Sequence, residues 1–131
     1  MHRFEDHTAE VKLVVEAETL AALFEETALA LAELMSTAIL PATSTIHITV
    51  ESSDRDALLV DWIDELVYRS EIDKRIYAHA KIRRVTDRAI EAEIGGFEPP
   101  AIRTAVKAAT MHDLSVTDTR EGVSARVVLD V

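Results

Sequence analysis

Alternation with a period of two is the first pattern in the chain. Val11, Leu13 and Val15 alternate with Lys12, Val14 and Glu16, which predicts a strand with one buried face. Thr19 is placed to cap a helix, and Leu20, Leu23, Phe24, Thr27, Leu31, Leu34 and Met35 then recur at three- and four-residue steps. Glu25, Glu26 and Glu33 fall off that stripe, so the segment reads as an amphipathic helix of about four turns. Pro41 marks a break, after which Ile46, Ile48 and Val50 oppose His47 and Thr49 along a strand over Thr45–Glu51. Ser53 and Asp56 have the spacing of a capping box and predict the start of a second helix. Its inward stripe is Leu59, Trp62, Ile63, Leu66, Val67 and Ser70.

The second half of the chain reads mostly as hairpins. Arg75–Val85 places Ile76, Ala78, Ala80 and Ile82 on one face and Tyr77, His79, Lys81 and Arg83 on the other. A turn at Thr86-Asp87-Arg88 leads to a return strand over Ala89–Ile94. Phe97–Met111 is ambiguous: Pro99-Pro100 forces an extended approach, and 102–109 fits a short helix or a loop. Leu114–Thr119 and Val123–Leu129 form a last hairpin around Arg120-Glu121-Gly122. The order is β-α-β-α-β-β-β-β. Antiparallel alternation with two amphipathic helices predicts an α+β, two-layer domain over 1–131: a mostly antiparallel sheet with both helices on one face.

Composition narrows the function classes. The 131 residues include no Cys, so disulfides, thiolate metal sites and Cys nucleophiles are excluded. No apolar run approaches the ~20 residues of a membrane span, and the opening Met1–Asp6 lacks the build of a signal peptide, so a cytoplasmic protein is the default expectation. With 14 Lys+Arg against 24 Asp+Glu, the net charge is −10, and direct nucleic-acid binding is not expected. The charge is uneven: residues 1–73 carry 4 basic and 16 acidic side chains, whereas six of the basic residues fall between Lys74 and Arg88. A solvated strand pair accounts for the basic stretch. A docking patch for an acidic partner is the alternative.

Signatures such as a Gly-rich phosphate loop, G-x-S-x-G and H-E-x-x-H are absent. Three runs still carry polar groups that the fold does not require. Asp6-His7-Thr8-Ala9-Glu10 offers two carboxylates and an imidazole before the first strand, although such runs are more commonly hydrophilic lead-ins. Lys107-Ala108-Ala109-Thr110-Met111-His112-Asp113 places a Lys and a His among small residues, in a pocket lining or a surface loop. At Leu129-Asp130-Val131 the last strand runs to the final residue, setting the Asp130 side chain beside a terminal carboxylate. Paired carboxylates of this kind suit a hard cation. His47 and His79 have no obvious carboxylate partner and read as surface residues.

These three runs and their order, with Thr27–Met35 and Leu58–Leu66 between them, resemble the archease family over almost the whole chain. The combination of Lys-Ala-x-Thr-x-His with an ending in Asp plus one aliphatic residue carries most of the likeness. The resemblance implies a small non-enzymatic accessory protein of the RtcB-type RNA ligase, promoting guanylylation and multiple turnover in tRNA splicing or RNA repair. It also implies a metal site for a divalent hard cation (Ca, Mg or Mn) formed by Glu10, Asp130 and the carboxylate of Val131. Lys107 matches the family's functional Lys, and His7 and His112 lie in the same motifs as possible site-lining residues. The family's usual pattern is His-Thr-Ala-Asp; Glu10 keeps the charge one methylene further out, which a flexible oxygen site accepts more readily than strict octahedral Mg²⁺. Two other readings compete: a chaperone-like adaptor for another nucleic-acid-modifying enzyme and, ranked lowest, a small metal-dependent hydrolase.

Overall fold

A computed structural model describes residues 1–7 and 9–131, the side chains of Asp6 and His7 excepted. In chain order the elements are β1 (His2–His7), β2 (Glu10–Ala17), α1 (Leu20–Met35), β3 (Ser44–Glu51), α2 (Arg55–Asp73), β4 (Ile76–Val85), β5 (Ala89–Phe97), β6 (Ala108–Thr119) and β7 (Gly122–Asp130). The α+β class and the helix and strand order agree with the hydrophobic pattern, with one strand more. Residues 2–7, too polar to read as a strand, pair with β2 from His2↔Val15 to His7↔Glu10.

The strands form two sheets rather than one. One has the order β1-β2-β7-β6 and the other β3-β5-β4, and every pairing is antiparallel. Each helix runs beside the edge strand of one sheet, α1 along β4 and α2 along β6, and packs its apolar stripe into the one core. Edge strands carry unpaired amides that invite association, and a covering helix removes them. Here the cover is chemical as well as steric. Glu25 of α1 accepts from the Ile82 amide at 3.0 Å, and on α2 Asp56 and Asp64 accept from the Val116 and Ala109 amides, each at 2.9 Å. Burial pushes the Asp64 carboxyl up, with the nearby charge of Asp61 adding to the effect, while the Ala109 hydrogen bond opposes it. Arg55, at the start of α2, ties the sheets together: it donates to Asp87 in the turn after β4 and to Asp118 on β6.

Local signals account for most boundaries. Thr19 caps α1, accepting from the Ala22 amide at 3.1 Å. The cap of α2 is Asp54, not Ser53: its carboxylate accepts from the Ala57 amide at 2.8 Å, and a carboxylate outcompetes a hydroxyl at the positive end of a helix. Phe97 ends β5, a loop follows, and β6 begins at Ala108, six residues earlier than the apolar alternation indicates. The reason is a register shift between Thr110 and Ser115, which interrupts the alternation inside β6. Tyr77 is buried instead of facing solvent, its hydroxyl donating to Asp73 at 2.5 Å; burial and the Asp73 carboxylate push its pKa up to about 12. Gly122 turns the β6–β7 hairpin at φ 152°, where a Cβ would lie 2.1 Å from the Ala17 carbonyl oxygen.

The core is one cluster drawn from both sheets and both helices, including Leu23, Phe24, Leu31, Trp62 and Leu66. Trp62 is fully buried, meets the Phe24 ring edge-on at 6.1 Å between centroids, and donates its indole N–H to the Phe24 carbonyl at 3.0 Å. Trp62→Ala therefore removes a large apolar volume and a buried hydrogen bond, with an expected loss of about 3–5 kcal/mol in denaturant unfolding. A loss under about 1 kcal/mol would show that the indole does not join the two helices.

Candidate functional site

The β2–β7 pairing sets Glu10 directly opposite Asp130, although 120 positions separate them in sequence. Directly opposed side chains on antiparallel strands bring their Cβ atoms to about 4.5–5.5 Å. On the other side of β7, Ala108 opposes Asp130, and the Lys107 amide donates to the Asp130 carbonyl at 2.8 Å. The Val131 amide donates to the Ala9 carbonyl at 3.4 Å. Ala9 adopts φ 59°, the left-handed turn geometry that brings the chain from β1 into β2. Glu10, Lys107, Asp130 and Val131 therefore meet at one end of the four-stranded sheet. Lys107 is exposed; Glu10, Asp130 and Val131 are half-buried.

The two histidines are placed differently. His7 opposes Glu10 in the β1–β2 register, and its side chain lies outside the described residues. His112 is exposed in the β6 register shift, beyond Thr110. Away from this end, His47 does have a carboxylate neighbour, Glu91, at 3.2 Å, and His79 bonds to the Leu40 carbonyl at 2.7 Å.

One residue beside the site was not singled out from the sequence. Lys12, two positions along β2 from Glu10 and on the same face, is only 8% exposed. Its ammonium lies 2.7 Å from Asp113 Oδ2. Asp113 sits in the β6 register shift at φ 57°, with the Arg126 guanidinium 3.8 Å away. The Lys12 ammonium, through its hydrogen bond and its charge, holds the Asp113 carboxyl below the ordinary 3.8. A signal for this was present in the alternation: Val14 and Val128 occupy the nominally polar faces of their strands, and both are buried. That face is covered, so a Lys on it requires a partner.

Two carboxylates directly opposite one another repel unless a cation lies between or beside them. Lys12 is the nearest cation along β2, and it is already engaged by Asp113. The donor set is all oxygen, the chemistry preferred by Ca²⁺, Mg²⁺ or Mn²⁺. Thr110, one row along on the same face as Ala108, carries a buried hydroxyl oxygen with no hydrogen-bond partner among the described residues. The residues thus fit a hard cation in charge and donor type. Among the described residues no three His, Cys, Asp or Glu side chains converge as a metal site. A mostly apolar cleft of about 370 Å³ lies away from this end, between the end of α2 and the 98–106 loop.

The archease protein family profile matches residues 2–131. The chain belongs to the archease family. Curated archeases cover nearly its whole length: the protein of Methanothermobacter thermautotrophicus is 31% identical over 98% of this chain and 96% of its own. That of Methanosarcina barkeri is 29% identical over 99% and 95%. The solution structure of Methanobacterium thermoautotrophicum protein 1598 superposes with a TM-score of 0.75 at 30% identity, covering 99% of this chain and 98% of that one. An archease crystal structure from Thermotoga maritima, described there as a possible chaperone, shares the fold with a TM-score of 0.70 at 20% identity, covering 100% and 98%. The family and these relatives carry the name of a protein rather than of a reaction. No helix is long and apolar enough to cross a membrane among the described residues.

The Lys12–Asp113 pair has a defined pH signature. Because the folded-state pKa of Asp113 is depressed, its contribution to stability is present above about pH 4 and is lost as pH falls through the folded value. Asp113 is half exposed, so the effect is screened and modest. Thermal melts of wild type and Asp113→Asn should differ at pH 6 and converge as the pH drops below 4. The Lys12→Met/Asp113→Asn double variant should melt above Asp113→Asn alone, since it leaves no buried ammonium unpaired. A constant gap between wild type and Asp113→Asn down to pH 2 would show that the pair contributes nothing.

Proposed function

We propose that this archease is an accessory protein that activates an RtcB-type RNA ligase, promoting its guanylylation and multiple turnover in tRNA splicing or RNA repair. The observation that carries the proposal is the opposition of Glu10 and Asp130 at an open sheet end, with Lys107 bonded to the same Asp130 through its backbone. Glu10, Asp130 and the Val131 carboxylate hold a divalent hard cation, Ca²⁺, Mg²⁺ or Mn²⁺. The cation neutralises the acidic pair. Lys107 presents an ammonium beside it that can meet a phosphate or an acidic group on the ligase. The net charge of −10 favours a basic, RNA-handling protein as the partner and disfavours RNA itself. The full-length match to curated archeases supports this reading.

A second reading, a chaperone-like adaptor for another nucleic-acid-modifying enzyme, draws on the description of the Thermotoga maritima archease as a possible chaperone. The two readings separate in a ligation time course with the partner ligase. The first requires stimulation of guanylylation, and the second does not.

Lys107→Ala should abolish the stimulation of guanylylation at matched folded concentration. It should change stability by less than about 0.5 kcal/mol, since the side chain is exposed. Full stimulation by the folded variant would remove Lys107 from the mechanism. Calorimetric titration with Ca²⁺ should show Asp130→Ala and a one-residue extension after Val131 weakening binding to a similar degree. Unchanged affinity in the extended protein would exclude the Val131 carboxylate as a ligand.

A further inference from the structure

Of the four outer sheet edges, β4 and β6 are covered by helices, and helix carboxylates accept from the Ile82 amide of β4 and the Ala109 and Val116 amides of β6. β1 is held at its start to α1, where His2 lies between Glu26 at 2.6 Å and Glu33 at 2.5 Å. β3 is different. Its eight residues, Ser44–Glu51, pair with β5 in unbroken register, with no bulge, no Pro and no Lys. These are the devices by which edge strands normally avoid pairing. Among the described residues no side chain bonds to the backbone of this strand, and Thr45, Ile46, Ile48, Thr49 and Val50 are strong strand formers.

The register shows which groups face outward. The Ser52 amide bonds to the Arg88 carbonyl at 2.8 Å, continuing the β3–β5 register, so the even-numbered residues of β3 exchange bonds with β5. The amides and carbonyls of Thr45, His47, Thr49 and Glu51 therefore point out of the sheet edge. The side chains of these four residues are all exposed.

We infer that β3 is a homodimer edge: two copies pair through it, antiparallel and in one register, joining their three-stranded sheets into a continuous six-stranded one. The strand is self-complementary when Ile48 meets Ile48 across a two-fold axis. Thr45 then opposes Glu51, and His47 opposes Thr49, so all four outward residues exchange backbone bonds. No like charges are opposed, and Ile46, half-buried at the free edge, gains Val50 of the second copy as its neighbour. An isologous contact of this kind closes on itself and leaves no edge for further growth. Glu51 is the one carboxylate on the strand, so the strongly acidic surface of the chain is not brought face to face at this edge.

The test is sedimentation equilibrium of the wild-type chain across a concentration series, beside Thr49→Pro. Proline at position 49 removes an outward amide without touching the β5 ladder, so the fold should hold, checked by an unchanged thermal melt. The wild type should shift with concentration from 14.5 kDa towards twice that mass, and Thr49→Pro should stay at the single mass. Since the chain has no Cys, His47→Cys/Thr49→Cys adds the only thiols, and in this register it should oxidise to a covalent dimer. A wild type that stays monomeric throughout overturns the inference, including the case where an added extended peptide of another protein protects the β3 amides instead. Association that survives in folded Thr49→Pro and in Thr49→Lys also overturns it, because the contact then lies elsewhere. If Thr49→Pro unfolds, Thr49→Lys, an exposed substitution, decides alone.

Discussion

The antiparallel register of β2 against β7 is the constraint on which the rest of this structure depends. Side chains alternate across a strand with a period of two, so a slip of one position would turn the apolar set of the slipping strand, Leu13 and Val15 on β2 or Val127 and Leu129 on β7, out of the core. The same slip would turn that strand's carboxylate, Glu10 or Asp130, inward, where an unpaired carboxylate would be costly to bury. Core and site therefore select the same register from opposite faces of the sheet. Neither could drift without the other, and the acidic pair needs no dedicated scaffold.

The helices answer a different constraint. Two open sheets have four outer edges, and an amphipathic helix can close one only if something satisfies the amides it covers. Glu25, Asp56 and Asp64 do this for β4 and β6. Within the hydrophobic pattern Glu25 and Asp64 look like ordinary solvent-facing acids off the apolar stripe, and Asp56 like half of a capping box. They are structural acceptors, and they account for part of the negative charge that composition alone assigns to the surface. Burial raises the pKa of Asp64 because that carboxylate sits between a helix and an edge strand.

What the sequence made legible follows from how local each signal is. The stripe from Leu20 to Met35, the cap at Thr19 and the alternation of β3 are short-range, and the structure keeps them. The N-terminal strand was hidden because His2–His7 is an edge paired on one side only, where polar residues are tolerated. The early part of β6 was hidden because a register shift breaks the alternation that would announce it. Two sheets rather than one cannot be read from periodicity, since each strand's alternation is the same in either case. At the site, the runs that hold Glu10, Lys107, Asp130 and Val131 stand out by their polar groups, but only the family likeness joins them into one site. Their proximity is a property of pairing across 120 positions. Lys12 was passed over because a lysine at a polar strand position looks solvated until the burial of Val14 and Val128 shows that the face is covered.

The long reach of that pairing has a consequence for the order of events when the chain is made. Helices and hairpins close loops of a few tens of residues and can form as soon as they emerge from the ribosome. β2 instead waits for β7, and closing a loop of that span is slow compared with forming either helix. Until Gly122–Asp130 is available, β2 has only β1 beside it and Glu10 has no carboxylate opposite. The acidic pair is therefore assembled late, with the β2–β7 ladder itself, and its presence on the surface reports that the four-stranded sheet has closed.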